Sequence, residues 1–333
     1  MRHKCSGGRD LQRMAGIALT CLLVLTGVAG CGGSSGSGGD TPPLTAVVVN
    51  SLLDDASPPA GTVTLRSALA SASSGQRITF DQSLNGSTID LLFIGEEHTT
   101  LVGEVMGFDE PNNISFLIGY HDRDYGRSAL FADKDVVIDA SNLPAGITVN
   151  WDGAEPARVL AVAGDLTLIN VDITGGNSVF AAAADIGQHP DDHQISMPEP
   201  GPTLARGAGI AVWGVATLQD CAIYDNHAEG DGRNSERDGG AYGGGVYADT
   251  VVMDNCIVSG NTVYGGGAAG GGVFSVGGRD TGVNISSISG STISENRIAG
   301  LFAYGAGVYS DGGGIGRATR LHVENSTVAR NLV

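Results

Sequence analysis

The chain has 333 residues, of which 53 are glycine and 5% aromatic, and it carries a formal charge of −18. Glycine keeps no three-residue period, which excludes collagen, and an apolar content of 41% excludes a disordered chain. So acidic a chain, with its basic residues clustered only at the start, excludes nucleic acid as a partner.

Residues 1–30 read as an export signal. Arg2, Lys4, Arg9 and Arg13 precede the apolar run AGIALTCLLVLTGVAG (15–30), which is too short for a spanning helix with normal flanks. The run closes on VAGC (28–31), which resembles the bacterial lipobox, in which the cysteine is acylated and becomes the new N-terminus. Cys31 is therefore the expected lipid attachment site, and residues 31–44, rich in Gly and Ser, are a flexible tether. Loss of residues 1–30 removes four Lys/Arg and one Asp, leaving 14 basic and 35 acidic residues, a net charge of −21. The expected location is the bacterial cell envelope, at the outer membrane or cell surface, because Gly32 rather than Asp follows Cys31.

Residues 45–134 are expected to hold an N-terminal cap and the first coils, with an irregular insertion that includes HDRDYGR (121–127). From residue 135 to 333 one phrase recurs: ATLQDCAIYDN (216–226), VVMDNCIVSGN (251–261), SSISGSTISEN (286–296) and a copy ending at Asn331. An earlier copy, LTLINVDITGGN (166–177), carries one extra residue before its closing Asn. Aligned on Asn170, Asp220, Asn255, Gly290 and Asn325, the apolar positions alternate with period two and resume in phase after this one residue. Asn, Asp and Gly tolerate left-handed backbone, so these five are corner residues between two strands.

Glycine blocks GAGI (207–210), GGGV (243–246), GGGV (270–273) and GAGV (305–308) are 36, 27 and 35 residues apart, while the closing Asn residues are always 35 apart. Insertions therefore swap between loops, and 27 residues, enough for three short strands and their turns, is one coil. One coil cannot bury its own apolar face, but coils stacked about 4.8 Å apart in parallel ladders can. The fold expected is all-β, a parallel β-helix, and a unit of 27 is short for the four-stranded blades of a propeller. Asn226, Asn261, Asn296 and Asn331 would form a side-chain ladder at one corner, each amide hydrogen bond contributing about 1 kcal/mol. The sequence stops at Leu332–Val333, directly after the fourth phrase, and the β-helix is expected to be truncated at this end.

The insertion 178–206 contains HPDDH, whose His189, Asp191, Asp192 and His193 are ligand-type residues and the weak candidates for a metal. Pro190 disfavours the helix that would bring them together, and a solvated loop is the expected reading. No cofactor is implied; Ca²⁺ is the one ion that the acidic surface would suit. Cys221 and Cys256 share a row of adjacent coils, where either a disulfide or two buried thiols fits.

The runs GTVTLRSALASASSGQRITFDQSLNGSTIDL (61–91), DVVIDASNLPAGITVNWDG (135–153) and ARVLAVAGDLTLINVDITGGN (157–177), with the later glycine-block units, resemble bacterial β-helix surface proteins. These are of the polymorphic outer-membrane-protein and choice-of-anchor-Q type; where many of them carry a C-S-L-R-E-A motif, this chain has TVTLRSAL (62–69). The resemblance implies a right-handed helix closed at its N-terminus by a short helix, and Leu65, Ala68, Leu69 and Ala72 have the spacing it needs.

The function expected is a lipid-anchored, non-catalytic surface β-helix for adhesion, structure or ligand display, with a carbohydrate or cell-surface ligand as partner. The alternatives are a polysaccharide lyase or glycoside hydrolase of the pectate-lyase-like fold, or a carbohydrate-binding module. Lyase chemistry needs clustered carboxylates for Ca²⁺ and a base. The outward rows Ile169, Gln219, Asp254, Ser289, Glu324 and Gly176, Asp225, Gly260, Glu295, Arg330 gather no adjacent carboxylates, and Lys134 is the only lysine after residue 30.

Overall fold

A computed structural model of the chain describes residues 45–95, 99–100, 103–109, 114–120, 123–124, 127–179, 205–230, 240–277, 283–311 and 318–333. Alternating aliphatic and β-branched residues, interrupted by residues that accept left-handed backbone, form strands stacked in three parallel sheets. The chain visits the sheets in turn. Val246–Asp254 lies in the first, Ile257–Ser259 in the second and Thr262–Ala269 in the third, and Val273–Ser275 returns to the first. This is the stacking of an all-β solenoid.

Register makes like residues sit over like. In the first sheet Val47, Ile78, Ile138, Leu168, Leu218, Met253, Ile288 and Val323 form one row. In the second, Ile89, Val149, Ile173, Ile223, Val258, Ile293 and Val328 form another. Ser178, Ala228, Val263 and Ile298 run up the third. All the first-row residues from Ile78 to Ile288 are buried, and each such side chain contributes about 1.5–3 kcal/mol by leaving water. Val246 pairs with Val273, 27 residues on, whereas Val273 pairs with Val308, 35 on. The longer coils therefore hold their excess in loops between strands, and the ladder keeps one register.

One feature differs from the sequence reading. The phrase 166–177 carries no extra residue: Asn177 pairs with His227, and Gly176 stands where Asn226 stands in the next coil, its N–H bonded to Asn226 Oδ1 at 2.9 Å. The region read as an irregular insertion contains two antiparallel pairs, Gly103–Asp109 with Ile114–Tyr120 and Thr99–Thr100 with Arg123–Asp124.

The one α-helix among the described residues is Leu65–Ser71. Thr64 starts it by accepting from the Ser67 N–H while Ser67 Oγ accepts from the Thr64 N–H, a reciprocal capping box. Leu65, Ala68 and Leu69 face the main core. Arg66, on the same helix, is fixed by Asp54: its Nε and a terminal nitrogen donate to the two carboxylate oxygens at 2.6 and 2.9 Å. Asp54 Oδ2 also accepts from the Leu92 and Phe93 N–H groups.

Candidate functional site

Asn226, Asn261, Asn296 and Asn331 stack in one column. Each Oδ1 from Asn261 onward accepts from both the Nδ2 and the backbone N–H of the Asn one coil earlier, at 2.9 Å and 3.0–3.1 Å respectively. Each Nδ2 also reaches back to a carbonyl, that of Ile223, Val258 or Ile293 for Asn261, Asn296 and Asn331. The first three are at most 1% exposed. The glycine blocks exist partly to admit this column. A Cβ on Gly209, Gly245, Gly272 or Gly307 would lie 2.8–3.0 Å from the Nδ2 of Asn226, Asn261, Asn296 or Asn331. The two sequence motifs are thus two sides of one contact.

Asn170, Asp220, Asn255, Gly290 and Asn325 have φ between 49° and 57°, left-handed backbone at every corner. A second left-handed corner lies just before the Asn column, at Asp225, Gly260, Glu295 and Arg330, where φ is 53–67°. The sequence reading treated these four only as outward positions. Their side chains share no chemistry that would signal the conformation.

Cys221 and Cys256 are buried free thiols on neighbouring coils. Each sulfur also reaches a nearby carbonyl: Gln219 for Cys221 at 3.1 Å and Asp254 for Cys256 at 3.2 Å. The Cys256 sulfur beside it, and then burial, push the Cys221 thiol far above its usual range. In a Cys31→Ser chain lacking residues 1–30, neither thiol should react with Ellman's reagent until the protein unfolds, when both should. Rapid native reaction, or no thiol after unfolding without reductant, would contradict two buried thiols.

Cys31 and the segment holding His189, Asp191, Asp192 and His193 lie outside the described residues, as does most of 121–127. Among the described residues no three His, Cys, Asp or Glu side chains gather to hold a metal. On the outer face of the second sheet, burial raises the Asp172 carboxyl above its usual range, against a 2.9 Å hydrogen bond from the Ala222 N–H. Tyr224 stands beside it, its phenol raised by burial and then by the Asp172 and Asp225 charges.

One concentration of side chains was not read from the sequence. Tyr247, Phe274 and Tyr309 are in register on the first sheet and alternate with the core-facing Val246, Val273 and Val308, so they point away from the core. Trp213 precedes them in an aromatic series: ring centroids are 6.1 Å apart from Trp213 to Tyr247, 5.5 Å from Tyr247 to Phe274 and 5.5 Å from Phe274 to Tyr309. Tyr242 and Tyr304, in register with Ala269 on the third sheet, flank the series at 5.0 Å from Phe274 and 5.8 Å from Tyr309. Together with Phe302, seven of the 18 aromatic residues are therefore gathered in one place by the register of the coils.

All of these rings but Trp213 line a groove of about 450 Å³ across the turn where the third sheet passes to the first. Its charged members are Arg206, whose guanidinium lies 5.6 Å over the Tyr247 ring, and Asp311 at the exposed edge. A signal was present: the aromatic follows each later glycine block, in GGGVY (243–247), GGGVF (270–274) and GAGVY (305–309). No protein-family model, curated protein or solved structure matches the chain.

Proposed function

We propose that the chain is an exported, lipid-anchored protein of the bacterial cell envelope, a non-catalytic β-helix for adhesion, surface structure or ligand display. In this reading the solenoid is right-handed, and helix Leu65–Ser71 closes its N-terminal end, as in the polymorphic outer-membrane-protein and choice-of-anchor-Q type. The observation that carries the reading is the Asn column with its matching glycines. The repeated residues are committed to stacking coil on coil, which makes a long, stiff surface rather than a reaction centre. The basic and apolar N-terminal segments ending at Cys31 support the anchor.

Expression in a bacterium that acylates lipoproteins tests this reading. The wild-type chain should sediment with membranes and carry acyl groups on Cys31, and Cys31→Ala should be released. An unacylated wild type, or a Cys31→Ala variant that remains with membranes, would overturn the anchor.

A second reading, a polysaccharide-cleaving enzyme, is favoured by the raised Asp172 carboxyl beside Tyr224. New unsaturated or reducing ends from pectic or alginate polymers, with or without Ca²⁺, and their loss in Asp172→Asn would establish it in place of the first.

A further inference from the structure

We infer that the aromatic groove between the third and first sheets is a binding site for a neutral oligosaccharide segment. The inference rests on the ligand-display reading and names the ligand class and its site. Three observations select the ligand. The first is shape: about 450 Å³ lies within the range of roughly 300–1,000 Å³ typical of small-ligand sites. Exposed ring surface remains available at Phe302 and Tyr304, 37% and 45% exposed, while Tyr247 and Phe274 behind them are buried and hold the platform rigid. Rigid aromatic rings give a sugar's apolar C–H face a large contact without ordering a flexible side chain.

The second observation is charge. Arg206 and Asp311 balance, so the groove is locally neutral in a chain of net charge −18. An anionic polymer would meet an overall repulsive field. A quaternary ammonium would compete for ring faces with the Arg206 guanidinium, which already occupies that of Tyr247. The third is hydrogen-bond sense. The lining combines a donor-only guanidinium, an acceptor-only carboxylate and phenols that do both, a mix that suits hydroxyl groups. A run of prolines, the other ligand of aromatic grooves, presents carbonyl acceptors and no backbone N–H, so it matches only the donors of this lining.

The groove also lies along the stacking direction. Its rings come from successive coils, so a linear chain of sugars would run from Tyr242 to Tyr304 across the coil between them.

The test is calorimetric titration of the full chain with cellohexaose, xylohexaose, laminarihexaose and mannohexaose, and with hexagalacturonate and decaproline as contrasts. At least one neutral hexasaccharide should bind with one site per chain, and the two contrasts should not. Tyr304→Ala should weaken that binding by about tenfold or more, with the melting temperature unchanged because the ring is half exposed. Tyr264→Ala, an equally exposed tyrosine outside the groove, should leave it unchanged.

Absence of binding by every neutral hexasaccharide would overturn the inference and leave the scaffold reading standing. Equal effects of Tyr304→Ala and Tyr264→Ala, or preferential binding of decaproline or hexagalacturonate, would overturn it as well. Tyr304-dependent binding followed by cleavage of the sugar would uphold the groove and overturn the non-catalytic reading.

Discussion

Asn261→Ala is expected to destabilise the protein by about 3 kcal/mol, with no change in the denaturant dependence of unfolding. Asn261 Oδ1 accepts from the Asn226 N–H and Nδ2, and its Nδ2 donates to the Ile223 carbonyl and to Asn296 Oδ1. Asn261 is fully buried, so no water replaces these bonds when the amide is removed. The loss falls hardest on the Asn226 N–H, which points at that oxygen. Asn331→Ala, half-buried at the last rung, should cost about 1 kcal/mol because solvent can reach the groups it leaves. Gly245→Ala attacks the same contact from the other side, placing a Cβ 2.7 Å from the Gly272 carbonyl oxygen and 3.0 Å from Asn261 Nδ2. It should cost about 1–3 kcal/mol as the packed backbone shifts. Urea melts of the three variants decide this. Equal, small effects of Asn261→Ala and Asn331→Ala would mean that the column is incidental to stability.

The second large effect is expected at Asp54, whose carboxylate is inaccessible to solvent and holds Arg66 at 2.6 Å, together with the Leu92 and Phe93 N–H groups. Arg66 in turn donates to the Ala129 and Phe93 carbonyls. Asp54→Ala leaves a largely buried guanidinium and two N–H groups without their acceptor, a loss of about 3–5 kcal/mol. The double variant Asp54→Leu/Arg66→Leu removes both charges and should be less damaging than the sum of the single variants by about 2 kcal/mol. Additive effects in the double-mutant cycle would show that the pair contributes nothing beyond the packing of each residue.

The solenoid was legible because its physics is repeated. Leu168, Leu218, Met253, Ile288 and Val323 alternate in phase with Ile173, Ile223, Val258, Ile293 and Val328, and only a one-residue left-handed corner keeps both rows on one side. The second corner was not legible. Asp225, Gly260, Glu295 and Arg330 have little in common beyond their place, and the buried Asn after each of them fixes the bend. At the first copy Gly176 fills the Asn position, so the eye takes Asn177 for the closing residue, one place too far. The groove escaped notice because its rings come from two sheets. Tyr242 and Tyr304 directly precede glycine blocks, in AYGGGV (241–246) and AYGAGV (303–308), but Arg206 and Ala269 hold that place in the other two, and the aromatic that follows a glycine block is replaced by Ala211 in the first.

The account stands on coils stacked at fixed register, and the side-chain amides of the Asn column report that register directly. In nuclear Overhauser spectra of the deuterated, amide-protonated protein, the side-chain amide of Asn261 should contact that of Asn296, and Asn296 that of Asn331, with Asn226 joined to Asn261. Each step spans 35 residues of sequence. A chain of such contacts from Asn226 to Asn331 is the predicted result. Solvent-exposed side-chain amides on Asn226, Asn261 or Asn296, or contacts within the Asn column at any other sequence separation, would contradict the stacked β-helix itself.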